Sequence, residues 1–357
     1  MPSGVMPSGV MPSGPRAAVN TAAAHDAQLT IVDQANYTML GEFARGGLGR
    51  IVRARDKRTG RLVAIKEMLG SSSDIAKRFM REALLTANLQ HPAIVPVYEL
   101  GKWANDEPFY AMKLVDGSSF EDVLAKAKTL EQRLALLPTL VAVADALAYA
   151  HAEKIIHRDL KPANVLVGKF GETVVIDWGL AKRLTDVEDD DAFAPTVTPL
   201  PTQAAEGQTL AGSVMGTPAY MPPEQARGDD LDPRADVYAL GAILYHLLSG
   251  AAPYTTLRPK TVGELLRLVD SGPPPRLEAD TAPADLIAIV DKAMARDPAD
   301  RYPTAKELAE DLRRFTTGQL VGAHSYDRWT LIKRWLRRNR AAVTVAAVLL
   351  AILTATA

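Results

Sequence analysis

The residues with chemistry in them gather at His157-Arg158-Asp159-Leu160-Lys161-Pro162-Ala163-Asn164, with Asp177-Trp178-Gly179 a short way on. Carboxylates, an amide and an ammonium in so short a stretch suit the handling of an anionic phosphate beside a hard cation. Moving a phosphoryl group to a hydroxyl needs a carboxylate to orient the attacking oxygen, which suits Asp159. It needs oxygen ligands for Mg²⁺, which suits Asn164 and Asp177. Lys161 supplies positive charge for the phosphate in transit.

These two motifs resemble the catalytic loop and metal-binding triplet of the eukaryotic-like (bacterial-type) serine/threonine protein kinases. The alternative is a solvated polar loop with the same spelling; the ordered run and the triplet at the family's distance argue against it. The resemblance runs in order from about Tyr37 to Phe315. Ala44-Arg45-Gly46-Gly47-Leu48-Gly49-Arg50-Ile51 follows the family's glycine-rich pattern, with Ala44 in place of its first Gly. Gly46 and Gly49 would let backbone N–H groups approach phosphate oxygens with no Cβ in the way. Val63-Ala64-Ile65-Lys66 implies that Lys66 grips the α- and β-phosphates, with Glu82 on the next helix as its partner. A lone Lys–Glu pair is ordinarily a solvated surface pair; the apolar strand around Lys66 argues for a partly buried one. Met112 falls at the gatekeeper position and Lys113 to Val115 at the hinge. Val63, Ala64, Met112 and Leu166 would enclose adenine, with a backbone contact from Val115. Plain core packing is the other reading of Met112. Gly216-Thr217-Pro218-Ala219-Tyr220-Met221-Pro222-Pro223-Glu224 resembles the substrate-docking segment, Asp236 the buried carboxylate that anchors the catalytic loop, and Arg301 the partner of Glu224. Trp178 stands where Phe is usual.

The resemblance implies an α+β, bilobal fold, with a small β-rich lobe carrying one main helix at about 37–115 and a larger helical lobe at about 116–316. It implies ATP and Mg²⁺, with Mn²⁺ as an alternative ion, and protein substrates phosphorylated on Ser or Thr. The implied catalytic residues are Asp159, Lys161, Asn164, Lys66 and Glu82. Nucleotide contacts would come from Gly46, Gly49, Ile51, Ala64, Lys66, Met112, Val115, Leu166 and Asp177, and metal ligands would be Asn164 and Asp177. A pseudokinase and a small-molecule kinase are the competing classes. The complete catalytic set argues against the first, and the docking segment against the second. Arg158 implies control by phosphorylation of the activation segment, with Thr202 and Thr209 ahead of Thr196, Thr198 and Ser213.

Behind these motifs, the hydrophobic pattern predicts the elements that must position them. Strands are expected at Tyr37–Glu42, Arg61–Met68, Ile94–Leu100, Pro108–Leu114 and Thr173–Ile176. Helices are expected over Ile75–Leu89, Glu121–Lys126, one long run Leu130–Glu153, Asp232–Leu248 and then 261–271, 283–295 and 303–316.

The 357 residues carry a formal net charge of −1 and no Cys. That excludes a disulfide framework, a thiolate zinc site and a cysteine nucleophile, and gives no argument for a nucleic-acid partner. Dimerisation is left open. Residues 1–30, opening on repeated Met-Pro-Ser-Gly, read as a disordered low-complexity tail; 31–320 is the kinase-like domain. Residues 321–340 form a basic juxtamembrane segment with Lys333, Arg334, Arg337, Arg338 and Arg340. Residues 341–357 are uncharged and include seven Val, Leu or Ile, and are expected to start a transmembrane helix with the kinase on the cytoplasmic side. A buried Ala-rich helix is the competing reading of that run; the adjacent positive charges favour the membrane.

Overall fold

This structure, a computed structural model, describes residues 29–45, 49–69, 73–184, 217–278, 281–326 and the isolated positions 344, 345 and 354. The chain divides into two units. Of the described residues, one unit holds those up to Val115 together with 177–184; the other holds 116–176 and those from 217 onward.

The first unit is built on five antiparallel strands: β1 (Tyr37–Arg45), β2 (Gly49–Asp56), β3 (Leu62–Met68), β4 (Val97–Lys102) and β5 (Pro108–Lys113). They lie in the order β1-β2-β3-β5-β4. Alternation makes them strands. In β2, Val52, Ala54 and Asp56 turn inward between exposed Arg53 and Arg55. On one face, Val32, Tyr37, Ala54, Val63, Ile65, Trp103, Phe109 and Ala111 form a core, with Trp103 stacked on Phe109. A second cluster joins Phe79 and Ala83 of helix α1 (Ser73–Asn88) to Tyr110 of β5, with Met68, Val97, Leu100 and Met112 against it. The chain ahead of β1 also joins the sheet. Val32 N–H donates to the Lys102 carbonyl at 2.9 Å and Lys102 N–H to the Thr30 carbonyl at 3.1 Å, in a parallel bridge on the outer edge of β4. Gly101 permits that approach, since a Cβ there would stand 2.8 Å from the Val32 side chain. The strand expected from Ile94 begins only at Val97; Ala93, Ile94 and Val95 are buried in a turn region before Pro96, which has no N–H to give a ladder.

The second unit opens with β6 (Gly117–Ser119), α2 (Phe120–Lys126), α3 (Leu130–Leu134) and α4 (Leu137–Ala152). The long helix expected over Leu130–Glu153 is thus two helices, broken at Ala135 and Leu136. Pro138 lies in the first turn of α4, where its missing N–H costs nothing, but it cannot continue the ladder of α3. Leu130–Ala152 is long and apolar enough, by length and composition, to cross a membrane. Here Leu140, Val143, Ala146 and Leu147 are fully buried in the core. After α4 come β7 (Ile155–Ile156), β8 (Val165–Gly168) and β9 (Thr173–Val175), and β8 is the middle strand of a sheet with β6 and β9. Helices α5 (Pro223–Arg227), α6 (Arg234–Ser249), α7 (Val262–Ser271), α8 (Ala284–Ala293) and α9 (Ala305–Thr316) complete the unit. Almost all of α6 is buried, so it reads as an apolar run rather than a stripe. Gly241 lets α8 approach it, because a Cβ there would meet that of Ala293 at 2.7 Å. Beyond α9 the chain folds back. Asp311 accepts from Tyr302 Oη at 2.9 Å and from the N–H groups of Gly322 and Ala323 at 2.8 and 2.9 Å.

Candidate active site

In the second unit the loop after β7 carries Asp159, Lys161 and Asn164. Its backbone hangs from one buried carboxylate. Asp236, on the first turn of α6, accepts from the N–H of His157 at 2.9 Å, the N–H of Arg158 at 3.0 Å and Nε2 of His151 at 2.8 Å. Burial alone would raise this carboxyl; the hydrogen bond and charge of His151, with His157 behind it, outweigh that and hold it below the ordinary carboxylate range. The chain then turns sharply, with Arg158 in the left-handed region at φ 70°. The His157 ring locks the next peptide. Its Nδ1 accepts from the N–H of Asp159 at 3.3 Å, which leaves Nε2–H to face the Ile176 carbonyl at 3.4 Å.

The Asp159 side chain is gripped on one side. Lys161 Nζ donates to its Oδ2 at 2.8 Å, and Asn164 Nδ2 reaches the same oxygen at 3.2 Å and the Asp159 carbonyl at 2.8 Å. Pro162 starts the short 3₁₀ turn that brings Asn164 back to Asp159. These bonds use the amide nitrogen of Asn164 and Oδ2 of Asp159, and leave the Oδ1 atom of each residue out of them.

In the first unit β3 and α1 bring Lys66 and Glu82 together. Lys66 Nζ stands 2.5 Å from Glu82 Oε1, with the two side chains 14% and 1% exposed. Tyr110 Oη donates to the same oxygen at 2.7 Å. Burial, then the Glu82 charge beside it, pushes the Tyr110 hydroxyl well above its usual range, so it stays a donor. The other carboxylate oxygen, Oε2, is buried with no hydrogen-bond partner among the described residues. Gly179 passes close by: a Cβ there would lie 3.2 Å from both Glu82 Oε2 and Asp177 Oδ1. Asp177 also has left-handed backbone, at φ 62°, and Trp178 beside it is buried.

The expected nucleotide residues of this unit lie on neighbouring strands. Ile51 pairs with Lys66 across β2 and β3, and Ala64 with Met112 across β3 and β5. Val115 is buried, and Gly49 fits where a Cβ would meet the Glu67 carbonyl at 2.4 Å. Leu166 lies in the second unit on β8, opposite Val174. Gly46 and the candidate phosphorylation sites Thr196, Thr198, Thr202, Thr209 and Ser213 lie outside the described residues.

The amide oxygen of Asn164 in the second unit and the carboxylate of Asp177 in the first are each of the hard kind that Mg²⁺ takes, and among the described residues no cluster of three or more His, Asp or Glu forms a complete cage for a cation. Mg²⁺ is commonly held by one or two carboxylates plus substrate phosphates, so none is required. Three contributors escape the sequence reading: Tyr110, His151 and Gln225, whose Nε2 donates to the Arg158 carbonyl at 2.8 Å. His151 left a signal, as a polar residue late in an apolar helix. Tyr110 and Gln225 left none.

The family model for the protein kinase domain matches residues 37–312. The serine/threonine-protein kinase PknB of Mycolicibacterium smegmatis is 36% identical over 291 residues, covering 80% of this chain and 44% of that protein. PknB of Mycobacterium tuberculosis is 36% identical over 288 residues, covering 78% and 43%. The serine/threonine-protein kinase PknD of Protochlamydia amoebophila is 32% identical over 301 residues, covering 79% and 30%. The chain thus spans less than half the length of these relatives.

Proposed function

The chain belongs to the protein kinase family, and from that premise we propose that it transfers the γ-phosphoryl group of ATP to Ser and Thr hydroxyls of proteins, including those of its own activation segment. The observation that carries this reading is the state of Asp159, a carboxylate with one oxygen tied to Lys161 and Asn164 and the other left for a substrate hydroxyl. Asp159 orients that hydroxyl and accepts its proton. Lys161 offsets the charge gathering on the phosphoryl oxygens. Lys66, fixed by Glu82, would hold the α- and β-phosphates; the family resemblance assigns adenine contacts to Ile51, Ala64, Met112, Val115 and Leu166, and phosphate-facing N–H groups to Gly46 and Gly49. Asn164 and Asp177 would hold Mg²⁺, which when bound would neutralise charge on the phosphates. Arg158 pairs with a phosphothreonine, with Thr202 or Thr209 foremost.

The domain plan belongs to the same reading, with the kinase over 31–320. So does a cytoplasmic kinase held to the membrane by 341–357. Support for the anchor is the uncharged apolar run after a basic cluster at 333–340. The three described positions in that run, 344, 345 and 354, are helical and exposed.

The test is purified chain with Mg-ATP, wild type beside Asp159→Asn and Asp177→Asn, followed by phosphosite mapping. Transfer to Ser or Thr that drops by about 10²-fold or more in both variants is expected; equal turnover in all three refutes the assignment. Fractionation with and without residues 333–357 tests the anchor, which fails if both forms stay soluble.

A further inference from the structure

The peptide that joins Arg158 to Asp159 is held from a place the catalytic set does not include. The Arg158 N–H goes to Asp236, but the Arg158 carbonyl accepts from Gln225 Nε2 at 2.8 Å. Arg158 has left-handed backbone, a conformation costly to a non-glycine residue that persists only when its surroundings dictate it. Together with the His157 ring that accepts from the Asp159 N–H, Asp236 and Gln225 belong to those surroundings, one on each side of the residue. They come from different elements. Asp236 belongs to the buried α6, whereas Gln225 is on α5, directly after the docking segment Thr217–Glu224.

Helix α5 is not free to drift from the rest of the unit. The residue before Gln225, Glu224, is bound through both carboxylate oxygens to Arg301, at 2.6 and 2.8 Å. Between the docking segment and the catalytic loop lies a cavity of only about 10 Å³, lined by Arg158, Asp159, Tyr220, Met221, Pro222 and Gln225. Groups packed that closely pass a displacement from one to the other instead of absorbing it.

We infer that Gln225 is a positioning residue that couples the protein-docking segment to the orientation of Asp159. The inference rests on the kinase reading of the site. The amide must donate to a carbonyl, so no acceptor-only group can replace it. A substrate chain seated on the docking segment presses on the segment that bears Gln225, and Gln225 sets the peptide plane from which Asp159 projects. An effect on transfer to a protein acceptor follows, with ATP affinity unaffected because Gln225 is remote in role from the phosphates.

The experiment uses the full chain as wild type, Gln225→Ala and Gln225→Glu, with casein as protein acceptor and Mg-ATP, from pH 5 to 8. Expected for Gln225→Ala is a kcat on casein about tenfold or more below wild type, with the KM for ATP within about twofold. Gln225→Glu is the conservative probe. Ionised, its carboxylate faces a carbonyl it cannot bond; protonated, it donates as the amide does. Its kcat relative to wild type should therefore climb as pH falls from 8 toward 5, where a glutamate begins to protonate. A residue that merely fills space would give no such climb. If Gln225→Ala fails to fold by circular dichroism, the pH profile of Gln225→Glu decides alone. Wild-type kcat in Gln225→Ala, or a Gln225→Glu profile parallel to wild type, overturns the inference. No phosphoryl transfer by wild type, to casein or to its own Ser and Thr, overturns the kinase reading itself.

Discussion

One oxygen, Glu82 Oε1, receives both the Lys66 ammonium and the Tyr110 hydroxyl inside the first unit. Hydrogen bonds to buried charges are worth more than neutral ones, about 1.5–3 kcal/mol each. Tyr110→Phe should therefore lower the unfolding free energy by about that amount, as measured in urea, and raise the KM for ATP through a looser Lys66. An unchanged value for both would show Tyr110 to be a spectator. The sequence points to Lys66 and Glu82 as partners because a strand motif and a mid-helix carboxylate announce them. It is silent on Tyr110, which alternation marks only as an inward residue of β5. It is equally silent on Gln225, whose acceptor is a backbone carbonyl and so has no residue type to read.

Helices in the second unit are joined through single charged side chains. Arg301 is wholly buried and donates to Glu224 of α5, to the Arg234 carbonyl at the start of α6 and to the Ala295 carbonyl past α8, while its guanidinium lies 4.9 Å from the Tyr238 ring. Removing one member of a buried pair strands the other, at about 3–5 kcal/mol. Arg301→Ala should lose that much stability by denaturant titration, and α5 should lose protection from hydrogen exchange first. At the other end of α6, His246 accepts from Tyr220 Oη at its Nδ1, with Arg133 bound to the Leu247 and Leu248 carbonyls nearby. Burial, then the Arg133 charge, brings His246 down to about 4. The folded protein keeps this ring neutral while the unfolded chain protonates it near the ordinary histidine value of roughly 6.5. Between those values the unfolded state binds the extra proton, so stability is complete above about 6.5 and falls as pH drops toward 4. The loss should be about 2 kcal/mol between pH 7 and 5, and His246→Gln should flatten the curve. The break between α3 and α4 belongs to this scale too. Periodicity carries across Ala135 and Leu136 without a gap, and Pro138 is compatible with either a break or a helix start.

Across the whole chain, the alternating strands, the helix beneath the sheet and the helical second unit are legible because each buries a face with a readable period. What lies beyond the family's span is less so. Residues 29–36 precede the matched region, yet Val32 is buried in the sheet core and two backbone hydrogen bonds tie Thr30–Val32 to Lys102. No motif announces this, since a short bridge depends on where the edge of β4 happens to lie. A chain begun at Tyr37 should lose about 1–2 kcal/mol of stability from the buried valine alone, seen as a lower Tm. The same bridge has a consequence for solubility. Stripped of residues 30–32, the Gly101–Lys102 end of β4 would present bare N–H and carbonyl groups beside a glycine, an open template on which a strand from another molecule can stack. The shortened chain would then be lost to self-association at concentrations where the longer one stays dispersed, and light scattering on the two would register the difference before any assay of activity did.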